Sequence, residues 1–535
     1  MSAPVAVGRV IYPLCLEKNW FVGCACISQE RKHMTYNNNN VAPSAEDEIA
    51  CWNELNWQKI RRKVMSFQRR IVKAYHEGNN DKLAALEYLV TNSFSAKALA
   101  VRLVTEAKGS RTAGVDRQRW VTAGQKYKAI LHLKTDKYAP SPYLRVNILK
   151  TNGKPRPLSI PTLSDRAVQT LYKFYLEPIA ECGADINSFG YRRWRSTLDA
   201  IKECYRVLCG GAQWVIEGDI AGCFDNISHD WLLANIPMDQ ANLRKILKCG
   251  YQEHRGSSIE PSVAGVAQGG PLSSILCNMA LDGMRSVIKL QSTDLEMIRY
   301  ADDFIIAAND LKTLCSVWHA VDSFLQERGL YLSSNKTAIT SVSHGFDFFG
   351  YRFINENGTV KMEPSKKSVC RVLTALHSDI KNHALFSDAE MANRINGIIR
   401  GWVNYHQYCT ERRAFLYIDI MVSRFLAGYG ARPGIQEALI TASETICQPL
   451  VSVRMEANPF DADWRLYFEE WAHAKRFYTT RGYNKLASAF MKQDGMCTLC
   501  GNRIESDFSI HEKHSRHGKM VELTHPECHT KIHQK

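Results

Sequence analysis

The chain has 535 residues and a formal charge of +14, with Lys and Arg spread along its whole length rather than gathered in one tail. That distribution asks for a long anionic partner, and nucleic acid fits better than a membrane, because no apolar run approaches the roughly 20 residues a spanning helix needs. Most of the 17 cysteines stand singly among apolar residues, as reduced, buried thiols of an intracellular protein do, which argues against a disulfide-stapled secreted fold.

Residues 1–45 read as a flexible extension. Residues 5–15 are mildly apolar, but Glu17 and Lys18 interrupt the run and no small-residue cleavage site follows, so a signal peptide is rejected. The asparagine run at 37–40 reads as a spacer, Met34 is a candidate natural start, and Cys24 and Cys26 are too close for an ordinary structural disulfide. Residues 46–110 read as helical, since Trp52, Leu55, Ile60, Val64, Phe67, Ile71 and Ala74 recur near helical spacing. The opposite faces carry Lys59, Arg61, Arg62, Lys63, Arg69, Arg70 and Lys73. A basic face is often only solvated, but charges this clustered are expected to meet RNA phosphates.

Residues 111–358 alternate short strands and helices. A turn at Asn152-Gly153 is followed by Lys154 and Arg156, with Pro155 and Pro157 keeping the stretch extended. An apolar run from Trp214 ends at Asp219. Gln268-Gly269-Gly270 is a Gly-rich loop, where a glycine pair lets backbone approach a ligand closely, and a helix is expected over residues 275–287. Lys336 follows a strand-like run at Leu330-Tyr331-Leu332. Residues 359–450 return to helix, with an apolar stripe of Ile395, Ile398, Ile399, Trp402, Val403 and Tyr405 and a break at Gly430, Pro433 and Gly434. In residues 451–490, Trp464, Tyr467, Phe468, Trp471, Phe477 and Tyr478 interleave with Arg465, Lys475, Arg476 and Arg481. Core packing and nucleic-acid stacking are both open readings there. Residues 491–535 are dense in Cys and His.

The chemistry concentrates at Asp302 and Asp303. Two adjacent carboxylates between apolar runs read as the tip of a β-hairpin. An acidic turn needs no function, since Asp is a common turn residue, but Asp219 supplies a third carboxylate at the end of another strand. Carboxylates converging from different strands suit nucleotidyl transfer, which joins a 3′-hydroxyl to an α-phosphate and expels pyrophosphate, mostly by positioning and charge neutralisation. Two Mg²⁺ ions ~3.5–4 Å apart clamp the attacking and leaving oxygens in such sites. Lys154, Arg156 and Lys336 are then candidates to face the triphosphate, and Phe224, one turn-like excursion beyond Asp219, to lie against the sugar. In the tail, Cys497-x-x-Cys500 and His525-x-x-Cys528 give four ligands in two pairs, a spacing that suits a closed tetrahedral Zn²⁺ site.

Tyr300-Ala301-Asp302-Asp303 resembles the YADD signature of group II intron reverse transcriptases, and further blocks agree in order. Thr112-Ala113-Gly114-Val115-Asp116 resembles the TAGVD block, and Arg156-Pro157-Leu158-Ser159-Ile160-Pro161 the RPLxIP block. Glu217-Gly218-Asp219-Ile220-Ala221-Gly222-Cys223-Phe224-Asp225-Asn226-Ile227 is similar to the EGDIxGCFDNI block of the chloroplast-like subclass. Gln268-Gly269-Gly270 and Phe346-Asp347-Phe348-Phe349-Gly350 resemble its QGG and GFDFLG blocks. Arg400-Gly401-Trp402-Val403-Asn404-Tyr405 resembles the RGWxNY block of the maturase thumb, so the resemblance runs from about Trp52 to the C-terminus. Ala267 departs from the family's usual proline, which loosens a turn without removing a catalytic group.

The resemblance implies an α+β protein: a right-hand fingers-palm-thumb reverse transcriptase, a helical maturase (X) domain, and a small zinc-bound ββα HNH-like module at 491–535. It implies that Asp219, Asp302 and Asp303 are catalytic and hold Mg²⁺, and that Phe224 gates against a ribose 2′-hydroxyl. It implies that Gln268 contacts the incoming nucleotide or template, with Lys154, Arg156 and Lys336 on its phosphates. Residues 46–110 become an RNA-gripping extension, 111–358 fingers and palm, 359–450 the thumb, and 451–490 a DNA-binding linker. The expected partners are group II intron RNA, target DNA and dNTPs, with no membrane, in a bacterial cytoplasm or an organelle. The expected functions are target-primed reverse transcription during retrohoming, and splicing assistance. In the tail the resemblance implies a nuclease ion with His529 and His533 as ligands and His511, Glu512 or His514 as base. This copy has His511-Glu512 for the usual His-His and lacks the central asparagine, so a nicking nuclease and a zinc-bound DNA grip are both open. Two rival readings are weighed. A binding-only splicing cofactor has no need of three convergent carboxylates, and a retron or defence enzyme does not account for the thumb block or the zinc module.

Overall fold

The computed structural model describes residues 45–149, 153, 155–445, 452–480, 493, 495–504, 509–515, 518–525 and 528–529. The N-terminal extension, Lys154, Arg481 and His533 lie outside the described residues.

The chain opens with helices α1 (Ala45–Asn53), α2 (Trp57–His76), α3 (Asn80–Asn92), α4 (Phe94–Glu106) and α5 (Ala123–His132). Asn56 caps α2, its side chain accepting from the Lys59 amide at 2.9 Å. Ile60, Val64, Phe67, Ile71 and Ala74 are buried along one stripe, while Lys59, Arg61, Arg62, Lys63, Arg70 and Lys73 are exposed and Arg69 half-buried. The expected helical segment and its basic face are therefore both present.

Strands β1 (Tyr143–Leu149) and β2 (Pro155–Ile160) form an antiparallel hairpin around the Gly153 turn. Helix α6 (Leu163–Gly183) is buried along most of its length, packed against α2, α3 and α4. Then come α7 (Thr197–Cys209), β3 (Trp214–Asp219), the single turn α8 (Cys223–Asn226), α9 (His229–Asn235), α10 (Gln240–Lys248) and the short β4 (Tyr251–Gln252), which lies parallel to β1. Next are α11 (Ser273–Leu281), α12 (Met284–Gln291), β5 (Glu296–Tyr300), β6 (Asp303–Ala308), α13 (Leu311–Gln326) and β7 (Ala338–Ser341).

The central sheet has the order β5-β6-β3-β7, antiparallel throughout. Alternate residues of its strands feed two cores. Ile216, Met297, Phe304, Ile306 and Ala308 join one, and Val215, Ile298, Ile305 and Ala307 the other. Burial on both faces is why these strands read as continuous apolar runs rather than alternating ones. The helix expected over residues 275–287 is two helices instead. Asp282 leaves α11 in an extended conformation, and Gly283, at φ 93°, starts α12 in a new direction.

Beyond the sheet, β8 (Phe346–Phe348), β9 (Tyr351–Glu356) and β10 (Thr359–Pro364) form a small antiparallel sheet. It carries a helical bundle of α14 (Lys366–Lys381), α15 (Asp388–Tyr405), α16 (Arg413–Gly428) and α17 (Pro433–Glu437), packed around Leu376, Ile395, Ile399, Phe415 and Ile418. The RGWxNY-like block ties the bundle to the sheet through the Tyr405 hydroxyl, which donates to the Phe349 carbonyl at 2.8 Å, and braces the bundle itself through the Trp402 indole, which donates to Ser368 Oγ on α14 at 3.1 Å. Helix α18 (Arg465–Thr480) follows, then a hairpin of β11 (Ser509–Ser515) and β12 (Gly518–Thr524).

In residues 452–480, Trp464, Tyr467 and Phe468 are half-buried against Trp471, which is buried. Trp471 stacks obliquely on Trp194 at 5.1 Å, and the buried Arg195 donates to the carbonyls of Met455 (2.8 Å) and Ala457 (3.2 Å). Those aromatics pack as core, and the segment is bolted to the loop before α7. Among the described residues no helix is long and apolar enough to cross a membrane.

Gly218, in β3, stands opposite Phe304, whose ring atoms would lie 2.2–2.6 Å from any Cβ at that position. Gly218→Ala should therefore overpack the sheet and cost about 1–3 kcal/mol. A lower urea midpoint at unchanged slope would show it, and a wild-type midpoint would contradict this packing.

Candidate active site

The ladder between β3 and β6 ends with Asp219 directly opposite Asp303, and Asp302 sits in the turn between β5 and β6. The hairpin expected from the apolar flanks is thus present, and all three carboxylates gather at one end of the sheet. The turn is held from below. Arg299, fully buried, ion-pairs with Asp282 and donates to the Ala301 carbonyl at 3.3 Å. Ala301 takes a left-handed φ of 59°, and Gly190 lies so close that a Cβ there would come within 2.3 Å of the Ala301 nitrogen. The Tyr300 ring leans edge-on against Phe349 at 5.0 Å.

Burial pushes the Asp303 carboxyl up to about 6, and the neighbouring charges of Asp302 and Asp219 add to the shift. Burial raises Asp302 as well, and Asp219 adds to it. Lys336 lies on Asp219, with Nζ 2.8 and 2.9 Å from its two oxygens, and this hydrogen bond raises the lysine. The lysine side chain is 65% exposed and that of Asp219 22% exposed, so solvent screens the pair. Three clustered carboxylates that repel one another and offer hard oxygen ligands are a donor set suited to a divalent cation such as Mg²⁺.

Across the cleft, Arg156 on β2 donates from Nε to Gln268 Oε1 at 2.9 Å, and Gln268 Nε2 donates to both Asp225 oxygens at 3.3 Å. The glycine pair after Gln268 lies against neighbouring segments that leave no room for a Cβ. A Cβ on Gly269 would meet the Ser159 carbonyl at 3.1 Å, and one on Gly270 would meet Gln169 Oε1 at 2.7 Å. The turn at Ala267 stays closed without proline, because its carbonyl accepts from the Gly270 amide (3.1 Å) and Ser273 Oγ (2.7 Å). Phe224, in α8, is only 8% exposed, and the residue borders a cavity of ≈ 310 Å³ shared with Tyr143, Gln169 and Ala267.

In the tail, the ligand atoms of Cys497, Cys500, His525 and Cys528 all lie within 4.8 Å of one another. The backbone turns tightly under the first pair, with the Gly501 amide on the Cys497 carbonyl at 2.9 Å. His525 Nε2 donates to the Arg503 carbonyl at 2.9 Å, which leaves Nδ1 free to face Cys500 Sγ at 3.3 Å. Burial would raise the Cys497 thiol, but backbone amides of Cys500, His525 and Leu499 bring it down to about 6. Soft thiolates with one oriented imidazole fit Zn²⁺. His511, on β11, has its ring 5.6 Å from that of His529. Glu512 and His514 occupy the ladder positions opposite Val521 and Lys519.

Sequence reasoning missed the Arg299–Asp282 pair, Asp225 and Tyr191. A charged residue inside the apolar strand Met297-Ile298-Arg299 was a readable signal for a buried partner. Asp225 carried no signal beyond its place next to Phe224. Nothing local announces Tyr191, which stands edge-on to Phe224 at 6.0 Å.

A family model for reverse transcriptase (RNA-dependent DNA polymerase) matches residues 148–353. Models for the N-terminal domain of reverse transcriptase and for the group II intron, maturase-specific domain match residues 52–133 and 371–432. The chain is 29% identical over 327 residues to the group II intron-encoded protein LtrA of Lactococcus lactis subsp. cremoris, covering 48% of this chain and 54% of that protein. The chain therefore spans little more than half the length of that relative. It is 23% identical over 394 residues to maturase-like protein 1 of Euglena gracilis, covering 70% of this chain and 82% of that one. It is 30% identical over 307 residues to protein YkfC of Escherichia coli (strain K12), covering 48% of this chain and 80% of that protein. With the three models in order along it, the chain belongs to the family of group II intron-encoded reverse transcriptases and maturases.

Proposed function

We propose that the protein is an RNA-directed DNA polymerase that copies intron RNA from a primed DNA target during retrohoming, and a maturase that binds the same RNA to help it splice. The observation that carries the polymerase reading is the register that sets Asp219 against Asp303 with Asp302 in the adjoining turn. In this reading Asp219, Asp302 and Asp303 hold two Mg²⁺ ions, which when bound neutralise charge on the attacking and leaving oxygens. Arg156 orients Gln268 toward the nucleotide or template. Lys336, on a long exposed stem, can move from Asp219 to a phosphate, and Lys154 is assigned to the triphosphate with it. Residues 46–110 and the thumb at 359–450 supply the RNA-binding surfaces, with the basic face of α2 as the clearest feature. The linker at 451–490 and the tail at 491–535 are assigned to target DNA, with Zn²⁺ on Cys497, Cys500, His525 and Cys528. A nuclease in the tail would rest on His511, Glu512, His514, His529 and His533.

Asp302→Ala or Asp219→Ala should abolish primer extension on an RNA template with Mg²⁺ and dNTPs, while intron RNA binding and splicing assistance persist. Extension at the wild-type rate by either variant would remove the metal assignment. Phe224→Ala should lower the preference for dNTPs over rNTPs by about tenfold or more, since even an apolar pocket with no clash rejects an added hydroxyl by about 100-fold. An unchanged ratio in a folded variant would take Phe224 out of the gate. The purified protein should carry one equivalent of zinc, lost in Cys497→Ser without loss of primer extension. Metal analysis that finds no zinc in the wild type would overturn the tail assignment.

A further inference from the structure

The segment Asn187-Ser188-Phe189-Gly190-Tyr191-Arg192-Arg193-Trp194-Arg195 runs beneath the carboxylate turn and holds two bulky residues in left-handed backbone, Tyr191 at φ 59° and Trp194 at φ 68°. Trp194 is accounted for by its packing on Trp471. Tyr191 has no comparable partner from a distant segment: the residue is 51% exposed and its ring meets Phe224, at the site itself. A left-handed φ on an aromatic residue is strained and persists only where its surroundings impose it.

Here they impose it from both sides. Before Tyr191, Gly190 is pinned against Ala301, and its carbonyl accepts from Asn278 Nδ2 at 2.8 Å. After it, Arg192 is buried on Glu181 at 2.7 and 2.9 Å and donates to the carbonyls of Asp185 (2.9 Å) and Ser188 (2.7 Å). The clamp leaves the Tyr191 ring edge-on to Phe224, with centroids 6.0 Å apart and planes at 87°. Gly190, its chain neighbour, lies against the Ala301 backbone one residue from Asp302, so the ring stands beside the acidic turn, and burial with the charge of Asp302 raises its phenol while Arg156 pulls it down. Phe224 is 8% exposed at the same place. The aromatic surface that is open beside Asp302 therefore belongs mostly to Tyr191.

We infer that Tyr191 is a second sugar-selecting residue of the polymerase site: its clamped ring forms the exposed half of the wall whose buried half is Phe224, and meets the sugar of the incoming nucleotide. The inference rests on the polymerase reading above. A ring held in a strained backbone keeps its position when a 2′-hydroxyl presses on it, whereas Phe224 alone would have only its own burial to resist displacement.

The test uses the full-length protein in primer extension on an RNA template, with kcat/KM measured separately for a dNTP and its rNTP. Tyr191→Asn removes the ring but suits the backbone, since asparagine tolerates left-handed φ. Tyr191→Phe keeps the ring and drops the hydroxyl. The expected result is a loss of about tenfold in dNTP-over-rNTP preference for Tyr191→Asn, seen chiefly in KM, with Tyr191→Phe at the wild-type ratio. A wild-type ratio for Tyr191→Asn, or an equal drop in kcat for both sugars, would overturn the inference and leave Tyr191 a structural residue. A wild-type protein that extends no primer would instead remove the polymerase reading, and the inference with it.

Discussion

The site depends on one buried ion pair. Arg299 carries a full charge at zero exposure directly beneath the acidic turn, with Asp282 as its counter-charge. Burial pushes the Asp282 carboxyl up, and Arg299 pulls it back toward the ionised form. Such a pair is not a cheap source of stability, but losing one partner strands a charge and costs about 3–5 kcal/mol. Its position explains why it is worth having. Asp282 must leave α11 to reach Arg299, and the backbone of Arg299 bonds to Asn187 and Phe189 on the loop that carries Gly190. The helix break, the loop and the turn are thereby fixed to one another, and Asp302 and Asp303 are placed by all three.

Above that cation the electrostatics reverse. Asp219 and Asp302 are half-buried and Asp303 stands at the exposed start of β6, and desolvation together with the charges of Asp302 and Asp219 pushes the Asp303 carboxyl up to about 6. Lys336 relieves Asp219 from the solvent side, where a lysine on a flexible stem is easily displaced. A fixed cation below and a movable one above give the carboxylates a defined position and an adjustable charge, which suits the nucleotide binding and release proposed for the site.

The sequence made the larger pattern readable and the local contacts much less so. The apolar stripe of α2, the carboxylates at the ends of apolar runs and the paired Cys and His ligands are local signals, and each appears where the spacing puts it. The helix over residues 275–287 failed because Asp282 answers to a residue 17 positions away. Nothing in the helical pattern itself reveals that demand. The glycine pair after Gln268 has a packing demand that its own stretch does not reveal, because the atoms a Cβ would meet belong to Ser159 and Gln169, far away in the chain. In the aromatic stretch near Trp471 core and stacking readings look alike in sequence, and the described rings resolve as packing. The left-handed backbone of Tyr191 was invisible because it is imposed by neighbours on both sides rather than by its own side chain.

The joint between the loop before α7 and residues 452–480 bears on how such proteins are assembled from parts. The Arg195 side chain is buried, and it makes two hydrogen bonds to the Met455 and Ala457 carbonyls while Trp194 faces Trp471. Both contacts depend on matched partners: the Arg195 side chain is only 2% exposed and its donors need those two carbonyls, and Trp194, 46% exposed, is covered on one side by Trp471. A C-terminal region grafted from a relative would have to bring its own match for Trp194 and Arg195, although some 260 residues separate the two stretches in the chain.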